Sequence, residues 1–386
     1  MGKDIPKKSV IYMIYLDNAA TTRVCPEAAE AALRCMTEGF GNPSSTHKPG
    51  RDARDALKAA RGDIARAIGA SPEELFFTAG GTEGDNWAIR SGAKLMRHRG
   101  RHIISSAVEH DAVRKSLDEL EKEGFEITRL SPAPDGSVRT EDVLAALRED
   151  TILVSLMLVN NETGSVTDIA AIAKGLKASG SQALLHTDAV QSFLKVPFTA
   201  GSLGADMITL SGHKIHAPKG IGALYVRKAL RLPPLLLGGG QEGGRRSGTE
   251  NLPGICAFAA AVNAARQDTG AAERMKALRC RAVDGLRDAF PDLVLNGGGA
   301  PHILNAAFPG YRSEVLLNAL DAKGVCVSMG SACKKGARSH VLEAMKLPQK
   351  VVAGSIRVSL CRFTTEEDID GFVAAMAETL GALIRT

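Results

Sequence analysis

Lys214 stands in SGHKIHAPKGIGALYV (211–226), directly after a short apolar run and before a Gly- and Pro-rich stretch. A lysine at a strand end among polar groups can form a Schiff base, and desolvation would lower its pKa enough to make the amine reactive. Asp188 closes a second apolar run, ALLHTDAV, where a buried carboxylate could hold a protonated ring nitrogen. His110 follows IISSAVE, and its flat ring could stack on a planar group and shuttle protons. The turn AGGTEGDN (79–86) joins a strand to a helix. Its backbone N–H groups around Gly81, the Thr82 hydroxyl and the helix dipole would suit a phosphate.

Two further positions could handle a substrate. Cys333 lies in VCVSMGSACKKGARSH (325–340), with glycine on both sides and Lys334, Lys335 and Arg338 close by. Basic neighbours favour the thiolate, and a loop of this kind can swing a thiol between two stations. Arg357 interrupts the apolar run SIRVSL, and a guanidinium can grip a carboxylate through two parallel hydrogen bonds where a lysine cannot. Each residue also has an ordinary reading. Most lysines are exposed surface groups, Asp188 and His110 could be helix N-caps, Cys333 could be a loop cysteine beside solvated charge, and Arg357 could sit in a surface ion pair. Cys326, in an apolar run, reads as core. AGGTEGDN is neither the dinucleotide GxGxxG pattern nor a Walker loop.

The elements that must position these residues alternate short apolar runs with amphipathic segments: ELFFTAG then TEGDNWAIRSGAKLM, RHIISSAVE then HDAVRKSLDELEKEG, TILVSLMLVN then TDIAAIAKGLKASG, followed by ALLHTDAV and ADMITLSGHK. This predicts an α/β fold with a mostly parallel central sheet and helices on both faces. Every run ends in a polar cluster, and in open α/β sheets ligands bind beyond the carboxyl ends of strands, so the clusters should converge on one site. A Gly-rich stretch, LLLGGGQEGGRRSGTEN (235–251), closes this part. Helical pattern then resumes from about Ile255 to Phe290 and leads into a smaller α+β domain carrying HILNAAFPG, GSAC and IRVSLCRFTTEED.

Bulk properties exclude several classes. Hydrophobic content of 44% and charged content of 24% belong to a soluble globular chain, and 386 residues favour two domains. A net charge of +5 without clustered Lys, Arg and aromatics argues against direct nucleic-acid binding. The apolar run in MGKDIPKKSVIYMIYL is too short for a membrane span, and it reads as a strand. Seven cysteines with no CxxC pair argue against a disulfide framework or a metal site, and suit a reducing, cytoplasmic setting. Most of them should be small buried hydrophobes.

In order along the chain stand YLDNAATT (15–22), FGNPSSTH (40–47), GGTEGDN (80–86), VEHDAV (108–113), VNNETG (159–164), HTDAVQS (186–192), SGHKIHAPKGIGALYV (211–226), GGGQEGGRRSGTEN (238–251), GSAC (330–333) and SIRVSLCRFTTEED (355–368). Together they resemble the cysteine desulfurases of the NifS/IscS type, class-V aminotransferases with the type I fold of pyridoxal-phosphate (PLP) enzymes. The resemblance implies a large PLP-binding domain over 16–262. It also implies a small domain formed by 1–15 and 263–386, which carries the catalytic cysteine loop.

The resemblance further implies roles. Lys214 should hold PLP, Asp188 its ring nitrogen, and Gln191 and Asn161 the ring-oxygen and substrate side, with His110 stacked on the ring. Gly81, Thr82, Ser211 and His213 should hold the phosphate, and Thr249 should reach the phosphate of a neighbouring subunit in a homodimer. Arg357 should grip the carboxylate of L-cysteine, and Cys333 should receive the sulfur and pass it to a protein acceptor, an iron–sulfur scaffold or a thiolation enzyme. The products would be alanine and a persulfide. Three features depart from the family pattern: Gly243 where a larger residue is common, Cys361 where glycine is common, and a slightly shortened segment after Cys333. Two rivals are another PLP reaction on the same fold, such as selenocysteine lyase, and a sulfur-relay or scaffold protein without turnover.

Overall fold

The structure is a computed structural model and describes residues 13–329 and 339–385; Cys333 and its basic neighbours lie outside them. The strands are β1 (Ile14–Tyr15), β2 (Leu75–Thr78), β3 (His102–Ser106), β4 (Glu126–Leu130), β5 (Thr151–Met157), β6 (Leu184–Asp188), β7 (Met207–Ser211), β8 (Gly222–Val226), β9 (Val294–Leu295), β10 (Ile303–Ala307), β11 (Val325–Cys326) and β12 (Ser355–Ser359).

Among the described residues the main sheet has seven strands in the order β2-β8-β7-β6-β5-β3-β4. The β7–β6, β6–β5, β5–β3 and β3–β4 pairs are parallel, and β8 runs antiparallel to both β7 and β2. Every residue of β5, β6 and β7 is buried, as expected for interior strands covered on both faces. The fold is therefore the mostly parallel α/β sheet that the alternating runs predict.

The helix that begins at Gly81 continues through a π turn at Trp87–Ser91 to Met96. It is pressed onto β7 so closely that a Cβ at Gly84 would lie 2.8 Å from Thr209 Cγ2. Glycine is what permits this approach, and it draws the Gly81-Thr82 turn toward the end of β7. Trp87 fixes the outer side, fully buried and donating from Nε1 to the Pro233 carbonyl at 2.7 Å.

A second body of core packs Ile14 and Leu16 with the helices Ala271–Ala289, Ser313–Ala322 and Glu366–Ala382 and with the β12-β10-β9 sheet. Thr365 starts the last of these helices with a reciprocal cap to Asp368.

The N-terminal run forms the expected strand, short and paired with β11. Two expectations change. The single helical stretch from Ile255 is two helices, Leu252–Gln267 and Ala271–Ala289. Asp268 leaves helical geometry there, with ψ at 73°, and Gly270 precedes the second helix. Of the six described cysteines only Cys25 and Cys361 are buried, whereas Cys280 is exposed and Cys35, Cys256 and Cys326 are intermediate. Three of the six, Cys35, Cys256 and Cys280, sit on helices, where Cys35 and Cys256 pack only partly against the core.

Candidate active site

The carboxyl ends of β5, β6 and β7 and the first turn of the Gly81 helix open onto one cavity of about 290 Å³. Gly81, Thr82, His110, Asn161, Asp188, Gln191, Ser211, His213, Lys214 and Arg357 all line it. Ten positions chosen from separate segments thus share one space. Thr249 does not line it and is exposed on the Gly-rich loop.

Lys214 closes a short 3-10 turn that follows β7 directly. Its Nζ donates to the carbonyls of Ala19 and Ala20 at 2.7 and 2.6 Å. The segment carrying those carbonyls is itself pinned. Thr22 exchanges hydrogen bonds with the backbone of His213 and His216, and Ala19 N donates to Ser359 Oγ at 2.9 Å. His213 is pushed down to about 4, first by burial and then by the nearby Lys214 charge, so it is neutral at pH 7. It can act toward an anion only as a neutral hydrogen-bond donor.

Asp188 is the last residue of β6, and its carboxylate accepts from Val190 N at 2.9 Å. Burial pushes its proton affinity up, opposed by His110 and Lys214. Asp85, on the neighbouring helix, is also buried in the cavity wall, and its Oδ1 has no hydrogen-bond partner. Burial and then the charge of Asp188 hold the Asp85 carboxyl well above the usual range. His186 Nε2 lies 3.6 Å from that Oδ1. Burial drives His186 down to about 3, so the contact is between neutral groups rather than an ion pair. Burial raises both carboxyls, Asp85 the more strongly, and the charges of His110 and Lys214 oppose the rise at Asp188.

His110 fulfils the helix-cap alternative and lines the cavity as well: its Nδ1 accepts from Ala112 N at 3.1 Å at the start of helix Asp111–Lys122. Asn161 is presented by a tight turn in which the Asn160 side-chain carbonyl collects the N–H groups of Glu162 and Thr163. Arg357, in the middle of β12 and 2% exposed, donates to the Asn161 carbonyl at 2.9 Å and to Asp17 Oδ1 at 2.7 Å. It is not a surface ion pair.

The residues fit PLP. A ring-nitrogen acceptor (Asp188), an amine (Lys214), the N-terminus of a helix and the flat ring of His110 surround one space. Ser211 Oγ and Gln191 Oε1 are buried there with no hydrogen-bond partner among the described residues. A hydroxyl beside a phosphate position and a carboxamide oxygen facing a ring hydroxyl are the groups such a cofactor would satisfy. Among the described residues no cluster suits a metal ion.

Several cavity residues escaped the sequence reading. Asp85 and Glu162 sit inside GGTEGDN and VNNETG, strings that were noticed for other members. His340 reaches the site from the helix that starts there, its Nε2 on the Glu109 carbonyl at 3.0 Å. Asp17, Ala19 and Ala20 act through backbone or through Arg357, which no local pattern announces.

Comparison with known proteins gives a consistent picture. The Aminotransferase class-V family model matches residues 14–372. Cysteine desulfurase 2 of Trichormus variabilis is 46% identical over 369 residues, covering 94% of this chain and 92% of that one. A solved NifS-like protein superposes with a TM-score of 0.91 at 36% identity, covering 96% of this chain and 100% of the other. SspA, solved in complex with cysteine, superposes with a TM-score of 0.80 at 33% identity over 91% of this chain and 99% of the other.

Proposed function

The chain belongs to the class-V aminotransferase family and, within it, to the cysteine desulfurases, and from that premise we propose that it uses pyridoxal 5′-phosphate held by Lys214 to take sulfur from L-cysteine, with Cys333 as first acceptor. The observation that carries the residue assignment is the shared cavity: Lys214, Asp188, His110 and Arg357 come from four different elements and meet in about 290 Å³.

Bound PLP supplies an electron sink for the charge left when the Cα proton of cysteine is removed. Asp188 would hold the ring nitrogen, with Asp85 beside it in the cavity wall. Gln191 and Asn161 lie on the ring-oxygen and substrate side. Gly81, Thr82, Ser211 and neutral His213 hold the phosphate through N–H and O–H donors. Arg357, aimed by Asp17 and the Asn161 carbonyl, binds the substrate carboxylate and so fixes which bond at Cα faces Lys214. The Lys214 amine, freed when the substrate amine replaces it on the cofactor, would take the Cα proton, and His110 would manage protons in the same cavity. The Cys333 thiolate attacks the substrate sulfur: an S–S bond forms, the Cβ–S bond breaks, and Cβ is protonated as alanine leaves. The persulfide on Cys333 is then passed to a protein acceptor, an iron–sulfur scaffold or a thiolation enzyme.

A homodimer in which Thr249 serves the neighbouring site accords with its exposure, and with Leu33, Met36, Phe40 and Leu237 standing 57, 58, 72 and 85% exposed. A large domain over 16–262 and a small one over 1–15 and 263–386 accord with the separate core around Ile14 and the C-terminal helices, except that Leu16 packs into that core too; the second boundary falls within helix Leu252–Gln267. A cytoplasmic location accords with the absence of disulfides among the six described cysteines.

The test is alanine formation from L-cysteine by the PLP-loaded protein. Wild type should form alanine, and Lys214→Ala should form none while keeping the same fold by circular dichroism. Alanine formation by Lys214→Ala at the wild-type rate would overturn the assignment.

A further inference from the structure

Lys195 follows β6 by a short turn, is 7% exposed, and its Nζ has no hydrogen-bond partner among the described residues. Arg362 follows β12, and its Nε and Nη2 are likewise buried and unpartnered, although Nη1 donates to the Ala264 carbonyl at 3.3 Å. Both side chains line one small cavity of about 20 Å³, together with Lys214, His216 and Cys361. A cavity of roughly 10–15 Å³ by this measure admits a single water-sized group, so this one has room for one small occupant.

The cavity wall offers no counter-charge. Among the described residues no acidic side chain lines it. The Cys361 thiol is pushed up, chiefly by burial, and stays neutral at pH 7. His216 is pushed down to about 4 by burial and binds the Arg23 carbonyl through Nδ1 at 2.9 Å. Arg362 is half-buried, stacks over the Phe363 ring at 4.2 Å and feels Asp268 and Glu27 at longer range, but a buried Lys195 amine with unused donors and no carboxylate is costly unless an anion joins it. Burial, and then Lys214, also lowers Lys195 to about 7, the direction expected of an amine without a counter-ion.

We infer that Lys195 and Arg362 form a binding site for one small monovalent anion of the halide class, in a cavity that adjoins the cofactor lysine. Monatomic size and a single charge match the room and the donors; a phosphate or carboxylate is too large. The occupant would offset positive charge close to Lys214, so the composition of the salt, rather than ionic strength alone, would affect the protein.

The experiment uses the PLP-loaded protein prepared in gluconate. Crystals soaked in bromide should show an anomalous peak between Lys195 Nζ and the Arg362 guanidinium. In solution, chloride should raise Tm to a plateau, whereas gluconate at equal ionic strength should not. Lys195→Met should lose both effects without a lower Tm in gluconate, since it removes an uncompensated buried amine. One ordered water with no anomalous signal would overturn the inference, as would a bromide peak without a saturable chloride effect on Tm, which would mean binding at crystal concentration only. The wild-type measurements decide the matter even if Lys195→Met does not fold.

Discussion

Arg357, which lines the cavity, meets Asp17, 340 positions away in the chain, at 2.7 Å between Nη2 and Oδ1. The pair ties β12 of the C-terminal body to the segment whose carbonyls hold Lys214. Arg357 and Lys214, the proposed substrate grip and cofactor lysine, are therefore placed by one stretch of chain, residues 17–20.

The first prediction concerns that grip. Arg357→Lys keeps the charge but loses the planar fork, so one charge-assisted hydrogen bond to the substrate carboxylate goes, a loss of about 1.5–3 kcal/mol. KM for L-cysteine should rise by roughly tenfold or more with a smaller change in kcat. Steady-state alanine formation checks this, and an unchanged KM would remove Arg357 from carboxylate binding.

A second prediction concerns the loop that carries Thr249. Arg61 makes a two-pronged pair with Glu242, at 2.7 and 2.6 Å, and Glu242 also accepts from Phe77 N at 2.9 Å. The Glu242 side chain is 2% exposed and its backbone φ is 51°, with glycine at 243 and 244 continuing the left-handed turn. Arg61→Met should cost about 3–5 kcal/mol in urea unfolding, because it strands a buried carboxylate. Arg61→Met combined with Glu242→Gln should recover part of that loss.

The third concerns pH. Burial pushes Glu109 up to about 8. A carboxyl that binds its proton more tightly when folded makes stability fall as pH rises from its unfolded value, near 4.5, to about 8, with no further loss above that. Glu109→Gln removes this slope. Relative to wild type the variant should gain stability between pH 5 and pH 9, measured by urea midpoints at both values. Parallel pH dependence in the two proteins would mean Glu109 is ionised in the fold.

Much of the site was legible in the sequence because it is built at strand ends. Asp188 and Ser211 are the final residues of β6 and β7, and Lys214 and His110 come within a few residues of their strands, so local apolar runs announced them. Asp85 was hidden because it reads as one more helix polar residue, and only the Gly84–Thr209 contact turns it toward Asp188. Asp17 and the Ala19 and Ala20 carbonyls were hidden because their partners are some two to three hundred positions away.

The most direct measurement of the central claim is alanine and sulfide release from L-cysteine with dithiothreitol, for wild type beside Cys333→Ala. Wild type should release the two in equal amounts, and Cys333→Ala should bind cysteine at the cofactor yet release little of either. Full sulfide release by Cys333→Ala would contradict transfer through that thiol, and no alanine from PLP-loaded wild type would contradict desulfurase chemistry itself.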